Sequence, residues 1–137
     1  MITVDKFVEK IEKEMRSGLI SILLLSAIER SGPIHGYGII KAVHEASGGT
    51  FSFKEGTIYP LLAEMEQTGL VKSFWGSGAS GPQRKYYEIC ADGKVALERL
   101  KESWNSMQET TGLIIGGTKN IEMEEVIECK TVMRKQK

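Results

Sequence analysis

Apolar residues recur along most of the chain at intervals of three and four positions, which is the period of a helix with one buried face. Charged residues fill the opposite face of the first such segment, residues 3–15, whose apolar positions are Val4, Phe7, Val8, Ile11 and Met15. A second helix is predicted at about 18–30. It is apolar on nearly every side and therefore belongs at the centre of the fold. We expect a break between the two helices at Ser17-Gly18.

Two shorter helices are predicted next, at 36–46 and at 55–68. The second has the strongest helical stripe in the sequence, formed by Ile58, Leu61, Leu62 and Met65. We expect Gly69, which follows it, to end the helix, since glycine tolerates the left-handed backbone common at helix ends.

After residue 69 the period of the pattern changes to two residues, which is that of a β-strand. Residues 70–75 and 84–89 are rich in aromatic and β-branched side chains, which favours two strands. A glycine- and serine-rich loop of residues 76–83 separates them, so a β-hairpin with a long tip is expected.

A long helix is predicted from residue 92 to about 115. Its apolar positions keep a heptad spacing and include Leu97, Leu100, Trp104, Met107 and Ile114. A seam of this kind meets another helix, and the simplest partner is the same helix of a second subunit.

The order of these elements predicts a mainly α fold with a small β-hairpin, a winged helix-turn-helix with a long C-terminal dimerisation helix. Residues 1–90 would form the DNA-binding domain with its N-terminal helix, and residues 91–117 the dimerisation helix. Residues 118–137 would be a marginal helix or a partly ordered extension. The helix at 55–68 would be the recognition helix that enters the major groove.

Charge and composition narrow the class further. Eighteen basic and eighteen acidic residues give a net charge of zero, which excludes a globally basic protein but not a local basic patch. The composition, 41% hydrophobic and 26% charged, is that of a folded globular chain. The longest apolar run is too short to span a bilayer and no signal-peptide pattern opens the chain, so we expect a cytoplasmic protein without a membrane partner.

Two sets of residues are candidates for contact with DNA. The first set lies between residues 67 and 91, a segment that contains one acidic residue and three basic ones. The basic residues are Lys72, Arg84 and Lys85. They could reach phosphates from the predicted hairpin, which is the wing of such a fold, or they could be an ordinary solvated strand end.

The second set is the start of the recognition helix, with Lys54, Thr57 and Tyr59, where hydroxyls and the helix N-terminus favour phosphate. Alternatively, Thr57 is an N-cap and Tyr59 packs against a neighbouring helix. Tyr37, at the start of the preceding helix, is expected to touch the DNA backbone.

An enzyme is disfavoured. The two histidines, His35 and His44, have no carboxylate or cysteine at metal-ligand spacing, and no nucleophile or phosphate-loop motif is present. We therefore expect no catalytic residue, metal or cofactor, and interpret His35 as a helix cap or a surface residue. Cys90 and Cys129 are too isolated to indicate a disulfide framework.

Four segments together resemble the PadR family of transcriptional regulators. They are Gly36–Ile40 (GYGII), Gly56–Leu62 (GTIYPLL), Glu66–Leu70 (EQTGL) and Gly81–Tyr87 (GPQRKYY). The resemblance covers roughly residues 17–112, and its most specific parts are the Gly-Thr-Ile-Tyr-Pro and Arg-Lys-Tyr-Tyr segments.

The resemblance implies a homodimer on a palindromic operator, acting as a repressor released by a small effector. It places the interface on the N-terminal and C-terminal helices, for which the candidates are Phe7, Ile11, Leu97, Leu100, Trp104 and Met107. In multidrug-sensing members a tryptophan corresponding to Trp104 lines a flat pore that takes planar aromatic compounds. Trp104 is thus the candidate effector contact, or else it only fills the dimer core. The alternative function is a winged-helix protein-interaction module without sequence-specific DNA binding.

One position departs from the family pattern. The strand is usually followed by Leu-Thr, where threonine caps the next helix, whereas this chain has Ile89-Cys90. Either Asp92 takes over the cap or the helix start shifts. A thiol beside a helix N-terminus can be reactive, so Cys90 is either a redox sensor or a buried inert cysteine.

Overall fold

The structure is a computed structural model that describes residues 1–77 and 81–116. The tip of the predicted hairpin loop and the predicted tail, 118–137, lie outside these residues. The chain divides into two compact units, Met1–Glu98 and Arg99–Lys137. The first holds all elements except the later turns of the last helix.

Helix α1 runs without interruption from Val4 to Ser31 over 28 residues. Thr3 caps it, because the Thr3 hydroxyl accepts a hydrogen bond from the backbone N–H of Lys6 at 3.2 Å. The predicted break at Ser17-Gly18 is wrong. A glycine inside a helix costs only about 1 kcal/mol relative to alanine, which the burial of the apolar segment after Gly18 outweighs.

The other elements follow the predicted order with one addition. They are β1 (Ile34–His35), α2 (Gly36–Ala46), α3 (Glu55–Gln67), β2 (Val71–Ser77), β3 (Gln83–Ile89) and α4 (Ala91–Ile114). The addition is β1, which pairs with β3 to give an antiparallel sheet of order β1-β3-β2. A strand of two residues has no period that a sequence pattern could reveal.

The core lies where α1, α2 and α3 meet the base of the sheet. Its completely buried side chains include Leu24, Leu25, Ile28, Ile39, Ile58, Leu62 and Leu97. Three of the four residues of the recognition-helix stripe, Ile58, Leu62 and Met65, are buried, and Leu61 is half-buried at its margin. The predicted helix stop is confirmed, because Gly69 has φ +83°, a backbone conformation that favours glycine.

Helix α4 begins at Ala91, one residue after Cys90. The backbone carbonyl of Cys90 accepts from the N–H of Lys94 at 3.0 Å, so Cys90 itself occupies the N-cap position. The N–H of Cys90 donates to the carbonyl of Leu70 at 2.9 Å, which ties the start of α4 to the start of the wing.

The α2–α3 pair followed by the β2–β3 hairpin is a winged helix-turn-helix, as the sequence predicts. In the part of the chain that the structure describes, no helix combines the length and apolarity needed to cross a bilayer.

Candidate nucleic-acid interface

The wing is stiffened by aromatic side chains that lie across from one another. Phe74 of β2 is paired in register with Tyr86 of β3, and their rings stack with centroids 5.8 Å apart. Trp75 is opposite Lys85 and keeps 66% of its surface exposed. A large exposed aromatic residue beside a lysine is a surface suited to contact with a nucleic acid. Sequence reasoning did not single out Trp75.

A cleft of about 490 Å³ lies between the wing and the first turns of α2 and α3. It is lined by His35, Tyr37, Tyr59, Trp75, Arg84 and Lys85, among others. Four of these residues are predicted from the sequence to contact DNA, and they come from three separate segments of the chain. The cleft therefore brings the predicted contacts together. Helix α3 contributes Tyr59, α2 contributes Tyr37, and the wing contributes the two cations.

Two of the three predicted wing cations already have acidic neighbours. The Lys72 ammonium is 3.5 Å from a Glu88 carboxylate oxygen, directly across the two strands. The Lys85 ammonium is 3.5 Å from a carboxylate oxygen of Glu66 on α3. Within residues 1–77 and 81–116, Arg84 forms no salt bridge. The positive charge that the wing can offer is therefore concentrated on Arg84.

His35 is held in place from several directions. Its Nδ1 accepts a hydrogen bond from the backbone N–H of Gly38 at 3.0 Å, which makes it the N-cap of α2 and confirms the cap interpretation. Its ring stacks on Tyr37 and meets Tyr86 edge-on, with centroid distances of 6.3 and 5.6 Å. Burial, and then the charge of Arg84, lowers the pKa of His35 below its usual value of 6.5.

Tyr87 forms the floor of the cleft and is almost fully buried. Burial raises its pKa, and the neighbouring Glu66 and Tyr59 raise it further. The phenol is therefore neutral at physiological pH and adds no negative charge to this surface.

A second cleft, of about 420 Å³, lies between α1 and the start of α3. Lys13, Arg16, Lys54 and Thr57 are among its lining residues. The alternative in which Thr57 caps the helix is wrong, because Lys54 occupies the N-cap position. Sequence reasoning missed Lys13 and Arg16, since the alternating charges of α1 look like any solvated helix face until α3 is placed beside them.

The residues that the sequence suggests for a dimer interface differ in how far they are buried. Phe7, Trp104 and Met107 are exposed, and Ile11 and Leu100 are half-buried. Leu97, by contrast, is completely buried in the first unit, where it belongs to the core of its own chain. Leu97 is therefore not available for contact with a second copy.

A winged helix-turn-helix with aromatic and basic side chains gathered between the recognition helix and the wing defines a class of DNA-binding regulator. The family profile described as the transcriptional regulator PadR-like family matches residues 24–99. The chain belongs to the PadR-like family of transcriptional regulators. This is a family of regulators and not of enzymes, as the sequence motifs indicate.

Solved structures of PadR-family regulators are similar to this chain in both sequence and fold. A PadR family transcriptional regulator from Eggerthella lenta is 28% identical, with a TM-score of 0.72, and the match covers 81% of this chain and 94% of that one. A PadR-like regulator from Bacillus cereus is 31% identical, with a TM-score of 0.66 and coverages of 77% and 99%. A curated relative, an uncharacterized protein from Lysinibacillus sphaericus, is 29% identical over 103 residues, which is 75% of this chain and 93% of the relative.

Proposed function

We propose that this PadR-like regulator is a homodimeric repressor that binds a palindromic operator and is released by a planar hydrophobic effector. The observation that carries the DNA-binding part is the convergence of Tyr37, Tyr59, Arg84 and Lys85 on one cleft. Since its partner is DNA, the protein would act in the cytoplasm.

On DNA, α3 would enter the major groove with its first turns directed at the backbone. Lys54 and Thr57 would position it from one side, together with Lys13 and Arg16 of α1. Tyr37 and Tyr59 would hydrogen-bond phosphates from the other side, where Arg84 of the wing also lies. These contacts set the register of the helix and carry no sequence information themselves.

The dimer is supported by apolar surface that a single chain leaves in water. The part of α1 from Val4 to Met15 buries no side chain, although it carries Val4, Phe7, Val8 and Met15. On α4, Trp104 and Met107 are likewise exposed. Large apolar side chains left in water on each of these two helices are typical of surfaces that associate with another chain. Residues 1–90 would thus be the DNA-binding part and residues 91–117 the dimerisation helix.

Trp104 would be the effector contact. It lies on α4 with 38% of its surface exposed, one helical turn before Met107. With the symmetry-related tryptophan it would offer two flat faces to a planar aromatic compound. Such a compound would change the separation of the two recognition helices from the one-turn spacing of about 34–36 Å that a palindromic site requires.

The test is fluorescence anisotropy with a duplex taken from upstream of the gene itself and a duplex of scrambled sequence, each at two salt concentrations. We expect tighter binding to the first duplex, with affinity for both falling as salt rises. Equal binding to both duplexes, or no binding to either, would instead favour a protein-interaction module.

A further inference from the structure

Two side chains in the cleft between the wing and α3 are close together and yet cannot satisfy each other. Arg84 Nη1 lies 3.0 Å from His35 Nε2, a hydrogen-bonding distance. Arginine stays protonated and only donates, so this contact is a hydrogen bond only when Nε2 carries no proton.

The position of the proton on His35 is set by the other side of the ring. Nδ1 accepts from the backbone N–H of Gly38 at 3.0 Å, and that N–H belongs to the first turn of α2, where it has no helical partner. A proton on Nδ1 would leave a part-buried backbone donor unsatisfied, whereas the exposed guanidinium of Arg84 can turn to water. The neutral ring therefore carries its proton on Nε2, and two N–H donors point to one place.

We propose that His35 and Arg84 form a two-donor seat for a single backbone phosphate of DNA. The proposal rests on the proposed DNA-binding function and assigns His35 a role in it beyond the helix cap. A non-bridging phosphate oxygen would accept from Nε2–H of His35 and from Nη1–H of Arg84, which relieves the conflict between them.

The seat is preorganised, which reduces the cost of forming it on binding. Tyr37 from α2 and Tyr86 from β3 hold the imidazole by stacking and by an edge contact. Arg84 is the charged group that faces the ring. Tyr37 and Tyr86, from the elements packed against it, are the other titratable groups there. Protonating His35 would put a second proton on Nδ1 and break the cap, so the ring acts as a neutral donor.

The first test reads the tautomer directly. Nitrogen-detected NMR of the histidine side chains is simple here, because the chain has two histidines and His44→Gln leaves one. We expect His35 at neutral pH to be neutral with the proton on Nε2. A proton on Nδ1 would overturn the proposal.

The second test uses two substitutions that each keep one half of the imidazole. His35→Asn retains an acceptor near the position of Nδ1, and asparagine is a good N-cap, but it loses the Nε2–H donor. His35→Gln keeps an N–H donor, on its side-chain amide, at about the distance of Nε2 from the backbone. It loses the acceptor that caps α2.

We expect His35→Asn to bind both the upstream and the scrambled duplex about three- to tenfold more weakly than the wild type, with its unfolding midpoint nearly unchanged. His35→Gln should bind better than His35→Asn in spite of a lower unfolding midpoint. The reverse order of affinities would show that His35 is only a cap, and would overturn the seat.

Arg84→Gln, alone and combined with His35→Asn, measures whether the two side chains contribute to DNA affinity together or independently. If both side chains hold the same phosphate, His35→Asn costs clearly less affinity in the Arg84→Gln background than in the wild type. Equal costs in both backgrounds would mean separate contacts and would contradict the seat. A wild-type protein that binds neither duplex would overturn the proposed function itself, and the seat with it. A wild type that binds while His35→Asn binds equally well overturns the seat alone.

Discussion

Gly36 and Tyr59 are in contact so close that a side chain at position 36 would require the Tyr59 ring to move. A Cβ built on Gly36 would lie 2.7 Å from two atoms of the Tyr59 side chain, Cε1 and Oη. Gly36 is the first residue of α2, and Tyr59 lies in the second turn of α3. The contact places the Tyr59 ring against the start of α2, and both residues line the cleft between the wing and α3.

The first prediction concerns that contact. Gly36→Ala forces the Tyr59 ring away from α2, and because this ring is 41% exposed and can turn towards water, the cost is at the low end for overpacking, about 1 kcal/mol of unfolding free energy. We expect a lower chemical-denaturation midpoint and weaker DNA binding, because Tyr59 leaves the cleft. Gly18→Ala is the matched control. Gly18 lies inside α1, and a Cβ at this position would have nothing within 4 Å, so this change should stabilise the fold by about 0.5–1 kcal/mol. Equal effects of the two substitutions would refute the close contact.

The second prediction concerns the ion pair between Lys85 and Glu66. Glu66→Gln removes the carboxylate that neutralises Lys85 on the DNA-facing surface. We expect affinity for both specific and scrambled duplexes to rise, and the slope of log K against log salt to steepen by about 0.9, the value of one additional phosphate contact. The unfolding free energy should change by less than about 1 kcal/mol, since both side chains are partly exposed.

Glu45→Gln is the control for this change. Glu45 pairs with Lys41 on the exposed side of α2, so the substitution alters the net charge equally without touching the cleft between the wing and α3. If both variants steepen the salt dependence to the same extent, overall charge is responsible and Lys85 has no particular role.

The third prediction concerns the cleft between α1 and α3. Arg16→Ala should weaken binding to specific and scrambled duplexes by the same factor and reduce the salt slope by about 0.9. Arg30→Ala removes the same charge from the last turn of the same helix, where it should leave the slope unchanged. A salt slope unaffected by Arg16→Ala would remove α1 from the DNA interface.

Sequence patterns predict the helices and strands of this fold more readily than the side-chain contacts of the cleft between the wing and α3. The stripe of Ile58, Leu62 and Met65 predicts α3 because helical periodicity is a local property that burial enforces. The pairing of Arg84 with His35 has no local signal, since it joins residues 49 positions apart through a two-residue strand. The same holds for Glu66 and Lys85, whose meeting depends on how the hairpin lies against α3. Charge counted along residues 67–91 is positive, but two of its three cations are neutralised across elements.

The fourth prediction follows from the lowered pKa of His35. Burial and Arg84 keep the ring neutral in the folded state, whereas in the unfolded chain it titrates near 6.5. The unfolded state therefore binds more protons between these two pKa values, so the stability contributed by His35 is present above pH 6.5 and is lost as the pH falls through the folded-state pKa. We expect the thermal midpoint of the wild type to fall more steeply below pH 6.5 than that of His35→Asn. Parallel pH profiles for the two proteins would contradict the assignment.

The last prediction concerns Trp104 as the effector contact. Trp75 is the only other tryptophan in the sequence, so Trp75→Phe leaves Trp104 as the single indole reporter. In that background a flat aromatic dye should quench the fluorescence on binding and should lower affinity for the upstream duplex, because a ligand that prefers the DNA-free dimer shifts the population towards it. Adding Trp104→Ala should abolish both dye binding and the effect on DNA, with dye binding followed by calorimetry once the reporter is gone. Val95→Ala serves as the control. It removes another exposed apolar side chain of α4 that is outside the proposed interface and keeps the indole, so dye affinity should be nearly unchanged. A Trp104→Ala variant that binds the dye as tightly as its parent would show that Trp104 only packs between the two subunits.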